Sequence, residues 1–509
     1  MNISVTKLIF KDIFKLILAI FVIEVFSLIS FKFSILSAIF FILIAIGVLL
    51  FTLYKLEYGL WICLAELMIG SQGYLFYLDL PNFKVSMRLG IFLIVFFVWL
   101  IKYFNSSNFF NLLKKDHLIQ TFFLFLGFIA LGFINGLVHN NGIKNVFFDF
   151  NGYLYFGLFF VFLEVFKSKR QVENLLKIFL AALSYVSLKI FFTLYLFSHN
   201  IPYLTDYFYH WIRDTRVGEI TYAGANFFRI FFQSQIWSLI GIFVVILFLI
   251  SIINRRSDLR ITSSVSDKKI FYFFILLIIL ETSILISFSR SFWLGGLAGL
   301  GGLAVILLSA KLSMKKLAQV FGVLLGSGIL SLLLLFCIAN FPIPKPSAEF
   351  TAQLLGGRLF SFYGEAGVSS RWNQLPVLIN KIKESPIIGS GFGTSVTYQS
   401  NDPRIKTDEN PEGWYTTYTF EWGYLDTITE IGILGLLIYL ILIGQILYSG
   451  YLCVKDNKLK FITTGFLLGL TALIITNIFS PYLNHPLGIG YLMLCSGIFQ
   501  ATNLTNSDR

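Results

Sequence analysis

The chain has 509 residues, of which 57% are hydrophobic and 13% charged, with a mean hydropathy of +0.79 and a formal net charge of +12. That balance excludes a water-soluble globular fold, because a soluble domain cannot hide 58 phenylalanines behind so little charge. The positive excess implies no nucleic-acid partner, since the basic residues cluster between apolar runs in the manner of a membrane protein. Cys63, Cys337, Cys453 and Cys495 lie in or beside apolar runs without the spacing of a disulfide framework or zinc site, so isolated packing roles are expected.

A helix needs roughly 20 apolar residues to cross the hydrocarbon core. Such runs predict 14 spans, near 14–30, 33–53, 58–77, 86–102, 117–136, 147–166, 173–197, 223–252, 270–289, 291–310, 316–338, 429–450, 461–480 and 485–500. The first has no small-residue cleavage site after it and reads as a retained anchor. The last is short, which leaves it tilted, re-entrant or interfacial. With both termini cytoplasmic, 23 lysines and arginines fall on the inner side. Only Lys32, Lys84, Arg88, Lys144, Arg213 and Arg216 fall in the short outer loops, as the positive-inside rule requires. The fold class expected is therefore an all-α polytopic membrane protein. Its parts are an N-terminal bundle (1–222), central helices (223–337), a large, partly helical outer loop (338–428), and C-terminal helices with a cytoplasmic tail (429–509).

Charges inside spans are costly and need partners or a purpose. Glu24, Glu66 and Glu281 either pair within the bundle or line a cavity, and Lys189 reads as structural. The loop before the eighth span carries Asp206, His210, Arg213, Asp214, Arg216 and Glu219. Arg229 follows, early in that span, either as a snorkelling or paired side chain or as an arginine facing a bound phosphate.

Arg290 closes the run Phe288-Ser289-Arg290 at the outer end of the ninth span, and Ser291 opens the next. A hairpin so tight fixes the guanidinium at the membrane surface, where its planar fork suits a diphosphate. The outer stretch holds seven basic and nine acidic residues, so it is no basic patch. Gly356-Gly357-Arg358 and Ser369-Ser370-Arg371-Trp372 bring two further arginines. Leu375, Leu378 and Ile382 recur at helical spacing after Trp372 and predict an amphipathic helix against the membrane, ended at Pro386. Gly389-Ser390-Gly391-Phe392-Gly393 is a tight turn whose backbone could come close to a ligand. The aromatic run from Trp414 to Tyr424 suits either the headgroup zone or sugar stacking. Glu421 and Asp426 stand just before the twelfth span, as proton acceptors or as helix N-terminal carboxylates.

Taken in order, Ser289-Arg290, Ser370-Arg371-Trp372, Ser385-Pro386-Ile387-Ile388-Gly389-Ser390-Gly391, and Tyr424-Leu425 followed by Glu430-Ile431-Gly432 and Gly435 form a pattern. It resembles the O-antigen ligase/polymerase superfamily, most clearly over residues 220–480. The family's His-Asn-x-Tyr-Leu motif aligns with Glu421-Trp422-Gly423-Tyr424-Leu425, so a carboxylate stands where family ligases carry a histidine implicated in activating the acceptor. The resemblance implies a lipid-linked-sugar glycosyltransferase fold of the GT-C-like kind, in a bacterial cytoplasmic membrane. It implies catalytic roles for Arg290, Arg371 and Glu421, with Asp426 in reserve. Substrate contacts would come from Arg213, Arg216, Arg229, Arg358, Trp372, Gly389, Gly391 and Tyr424. The expected donor is a glycan on undecaprenyl diphosphate, and the acceptor a hydroxyl of a glycan, lipid or other carrier. Membrane lipids, a polysaccharide flippase and a chain-length regulator are the other partners, with no cofactor, metal or nucleic acid. Polymerase is slightly preferred to ligase because the histidine is missing. The competing readings are a transporter of lipid-linked glycan, to which the internal glutamates would contribute, and a structural subunit of an assembly complex.

Overall fold

The computed structural model describes residues 10–81, 83–103, 116–224, 227–259, 264–309, 313–347, 350–351, 356, 366–402, 405–456 and 460–507. The N-terminal half runs through α1 (Phe10–Ser30), α2 (Ser34–Tyr54), α3 (Leu56–Ile69), β1 (Tyr77–Leu80), β2 (Phe83–Ser86), α4 (Met87–Tyr103), α5 (His117–Val138), α6 (Ile143–Phe150), a 3-10 stretch (Asn151–Gly157) and α7 (Leu158–Val165). It continues with α8 (Lys169–His199), α9 (Leu204–Asp214), β3 (Gly218–Gly224) and β4 (Phe227–Phe232). Then come α10 (Gln235–Leu259), α11 (Ser264–Ile286), α12 (Arg290–Ser309), α13 (Met314–Ala339), α14 (Ala366–Glu384), β5 (Val396–Gln399) and β6 (Trp414–Thr417). The chain ends with α15 (Gly423–Asp456), α16 (Lys460–Thr476) and α17 (Pro486–Ser507).

Among the described residues, ten helices are long and apolar enough to cross a membrane, and two shorter apolar helices, Phe461–Thr476 and Pro486–Gln500, accompany them. This is an all-α polytopic membrane protein, and every expected span contains a helix. α10 is the central pillar, buried almost throughout, with α8, α11 and α16 around it. α1, α2 and α13 show most of their apolar surface outward, which in a bilayer meets lipid.

Three short antiparallel hairpins, β1–β2, β3–β4 and β5–β6, lie at one end of the bundle and form its cap. The second hairpin corrects the expected eighth span: residues 223–224 and 227–234 are not helical, and Arg229 stands on β4, opposite Thr221. The run Phe227-Phe228-Arg229-Ile230-Phe231-Phe232 is as apolar as a span. Its aromatic and β-branched side chains fit a pleated, half-buried ribbon, and the chain turns before the helix begins at Gln235. The last helix is packed inside the bundle. Leu487, Ile489, Tyr491 to Cys495, Ile498 and Phe499 are all buried, and α17 packs on α3, α7, α15 and α16. The expected sixth span is broken by its 3-10 turn, where Gly152 comes close to the backbone of Asn484. The amphipathic helix expected from Trp372 begins earlier, at Ala366, and rests on β5 and α15.

Each internal glutamate has partners. Lys189 approaches Glu24 at 2.5 Å, and the Tyr185 hydroxyl donates to the same carboxylate at 2.9 Å. Arg88 pairs with Glu66 at 2.7 Å, and Glu281 accepts from Ser327 and Ser331, each at 2.9 Å.

The most consequential local feature is a break in α15. Gly432 has φ 74° and ψ 176°, which interrupts the helix about two and a half turns from its start at Gly423. The next turn must find acceptors for its free N–H groups. The 386–387 loop provides them: Ile433 donates to the Pro386 carbonyl at 2.9 Å and Leu434 to the Ile387 carbonyl at 3.3 Å. An added Cβ at Gly432 would lie 2.1 Å from the Ile387 carbonyl oxygen, whereas one at Gly444 in the same helix would meet nothing. Gly432→Ala should therefore lower stability by about 2 kcal/mol or more, from strain at positive φ and the lost loop contact. Gly444→Ala should not. Thermal unfolding of the two variants in detergent checks this, and equal melting temperatures would refute it.

Candidate functional site

Pro386 ends the segment after α14, and the following glycine turn threads between three elements. Gly389, Gly391 and Gly393 have φ of 76°, 90° and 74°. The Ser390 N–H donates to the Thr429 carbonyl at 2.8 Å, and the Phe392 N–H to the Gly132 carbonyl at 3.1 Å. Asn141 clamps the turn through its amide, which donates to the carbonyls of Ser390 at 3.2 Å and Phe392 at 3.0 Å. The close approaches that the glycines permit are thus to the chain's own backbone at Glu430–Gly432, Asn135–Gly136 and Asn145–Val146. Their work in this structure is to seat the loop.

The seated loop fixes a set of carboxyl groups. The Gly393 N–H donates to Asp149 on α6 at 2.7 Å. Asp149 shares a hydrogen bond with Glu430 on α15, which also accepts from the Tyr153 hydroxyl. Asp426, one turn before Glu430, accepts from the Asn484 amide at 3.2 Å through one oxygen. Its other oxygen, Oδ1, is buried without a hydrogen-bond partner.

Arg371 sits on α14 and forms an ion pair with Glu421, both side chains being half exposed. Trp422 locks this contact from beside: its indole N–H donates to the Arg371 carbonyl at 3.2 Å, and its ring meets Trp372 edge-on at 5.4 Å and Phe479 at 5.6 Å. A small core of Leu378, Val396 and Phe420 holds α14, the β5–β6 hairpin and the approach to α15 together.

Arg290 is the first residue of α12, after a turn in which Phe288 takes φ 47°. Its neighbour Ser291 is hydrogen-bonded to Ser480 at 2.9 Å, beside the Phe479 that supports Trp422. Arg229 reaches the same turn from β4, where its Nε donates to the Ser287 carbonyl at 2.7 Å. Arg229 thus contacts the 287–291 turn directly and Arg290 opens α12 from it, while Arg371 is linked to the neighbouring 479–480 turn through Trp422 and Phe479. Arg213, at the end of α9, and Arg216 stand apart from this group, and the Arg216 guanidinium lies 4.7 Å from the Tyr74 ring centre. The Tyr424 hydroxyl is engaged in packing, donating to the Ile474 carbonyl at 2.9 Å. Arg358 lies outside the described residues.

Behind Glu421 opens a cavity of about 280 Å³ whose wall includes Tyr418, Thr419, Phe420, Asp426, Pro481 and Asn484. The N-terminal half supplies the remainder, among it Tyr74, Lys84, Arg88, Asp149, Tyr155 and Arg216. Burial, with the negative charge of Asp149 adding to it and Arg216 opposing, holds the Tyr418 phenol above its usual range, so it stays a neutral hydroxyl donor. Asp149, Tyr418 and the cavity face of Arg88 were not among the expected site residues. A single Asp inside the apolar run Val146-Phe147-Phe148-Asp149-Phe150 was the available signal for the first.

Residues 271–440 match a protein-family model described as O-antigen ligase. The match runs from α11 into α15 and takes in Arg290, Arg371, Trp372, Gly389, Gly391, Glu421, Tyr424 and Asp426. The match covers a third of the chain, and over that segment the protein is similar to the O-antigen ligase/polymerase superfamily. A search of curated proteins finds no match to the chain.

Two substitutions separate support from chemistry in this site. Asp149→Ala leaves the buried Gly393 N–H without its acceptor, which costs about 1–3 kcal/mol. Glu421→Gln removes only a half-exposed ion pair, worth about 0–1 kcal/mol. Melting curves should therefore show the larger loss for Asp149→Ala, and the reverse order would contradict this account.

Proposed function

We propose that this protein transfers or polymerises glycan from an undecaprenyl-diphosphate-linked donor onto a sugar hydroxyl, in surface-polysaccharide assembly. The hairpin cap faces outward from the bacterial cytoplasmic membrane, and both termini lie inside. The reading rests on one arrangement within the segment matched by the O-antigen ligase model: Arg371 pairs with Glu421, and Trp422 beside them packs on Phe479, next to the Ser480 that bonds to Ser291, the neighbour of Arg290. Polymerase is favoured over ligase because Glu421 occupies the position of the ligase histidine.

Arg290 and Arg371, with Arg229 at the same turn, would hold the donor diphosphate through charge-assisted hydrogen bonds. As the bond between the anomeric carbon and the phosphate oxygen breaks, negative charge grows on the leaving lipid diphosphate, where the guanidinium groups stabilise it. A diphosphate arriving at Arg371 competes with Glu421 for the same guanidinium. The displaced carboxylate is then free to accept the proton of the acceptor hydroxyl, whose oxygen forms the new bond to the anomeric carbon. Trp372 offers an aromatic face beside this point. Donor binding thus releases the base, which limits proton abstraction before the donor is in place.

Arg371→Ala should weaken binding of a polyprenyl-diphosphate glycan by about 10- to 100-fold, the range of a lost charged hydrogen bond. Lys406→Ala, in the outer loop away from the arginine group, should change it little. Equal losses would remove the donor site from Arg371. A cysteine placed at the exposed Asp408 should react with an impermeant thiol reagent from outside the cell. Labelling only after the membrane is opened would invert the topology. Deleting the gene in its host decides the reaction: single lipid-linked repeats accumulate if the protein is a polymerase, and long unattached chains if it is a ligase.

A further inference from the structure

We infer that the cavity behind Glu421 is a subsite for one sugar residue, and that its mouth favours a ring carrying a carboxylate. Describing that sugar as part of the acceptor glycan rests on the transferase reading above. The binding site itself does not.

At about 280 Å³, the cavity lies near the lower end of small-molecule pockets, which suits one ring rather than a chain. Its floor holds Asp426, 5% exposed, whose Oδ1 has no hydrogen-bond partner. A buried acceptor left unsatisfied is costly, and a sugar hydroxyl is a neutral donor that would satisfy it. Tyr74 and Tyr418 add the aromatic faces and hydroxyl groups that suit a sugar ring.

The mouth has the opposite character. Arg216 is exposed, stacks on Tyr74, and forms no ion pair among the described residues. Lys84 is half exposed and meets Asp79 only at 3.9 Å. The deeper Arg88 is already neutralised by Glu66 at 2.7 Å. A cationic rim over an acidic floor orients a ring with its hydroxyls inward and its carboxylate at Arg216. The wall segment 418–420 leads straight into Glu421, so a ring held here lies next to the proposed base.

The test is saturation-transfer NMR on the full chain in detergent, with methyl glucuronide and methyl glucoside as probes and no donor present. The glucuronide should bind about tenfold more tightly, as expected for one charged hydrogen bond. Arg216→Ala should abolish that preference. Asp426→Asn and the milder Tyr418→Phe should each weaken both sugars, with unchanged melting confirming the fold. Absence of any signal overturns the subsite. Equal binding of the two probes, or a preference that survives Arg216→Ala, overturns the selection for a carboxylate. Sugar binding in a protein whose deletion leaves glycan length and lipid intermediates unchanged would refute the transferase reading and keep the subsite.

Discussion

The break of α15 at Gly432 is the constraint on which the cap end of the molecule depends. A continuous helix would satisfy its own N–H groups and leave the 385–394 loop no reason to enter the bundle. Broken, it presents two free donors that the Pro386 and Ile387 carbonyls accept. Once anchored there, the glycine turn also meets α5 and delivers the Gly393 N–H to Asp149. One backbone interruption thus ties the outer loop to both halves of the chain, and sets the turn that carries Asp426 and Glu430.

The family match begins at residue 271, yet the cap does not. Arg229 comes from a strand before the matched segment and bonds to the turn that opens α12. The cavity draws on residues as early as Tyr74 and Lys84. The matched domain therefore supplies the arginine–carboxylate pair, while the N-terminal half supplies much of the wall beside it. Variation there would alter the lining of the cavity without touching Arg290 or Arg371.

The membrane class and the helices were legible in the sequence because a span is a local property: some twenty apolar residues announce themselves without knowledge of their neighbours. The Arg371 and Glu421 segments could be marked from their motifs, but the pairing of those two side chains could not, being a tertiary contact across 50 positions. The β3–β4 hairpin was hidden because hydropathy does not distinguish a row of phenylalanines in a ribbon from one in a helix. The glycine turn was visible as a turn. What it approaches was not, since that depends on the break in a helix forty residues later. Arg88 was counted only as a loop charge; its burial beside Glu66 follows from how α3 and α4 pack.

The distribution of ion pairs bears on transport against interfacial chemistry. Glu24–Lys189 and Glu66–Arg88 are almost fully buried, and separating such a pair costs about 3–5 kcal/mol because each charge is left unsolvated. Glu281 is held by two serines. These carboxylates stand as fixed parts of the bundle rather than as sites awaiting a coupling ion. Arg371–Glu421 differs in kind: both side chains are half exposed at the cap, so water can solvate either partner and an incoming anion can take the place of Glu421, at a cost of about 1 kcal/mol or less. The charge pair that can be exchanged lies at the end of the bundle and not along its middle, the location that the proposed reaction at a membrane surface requires.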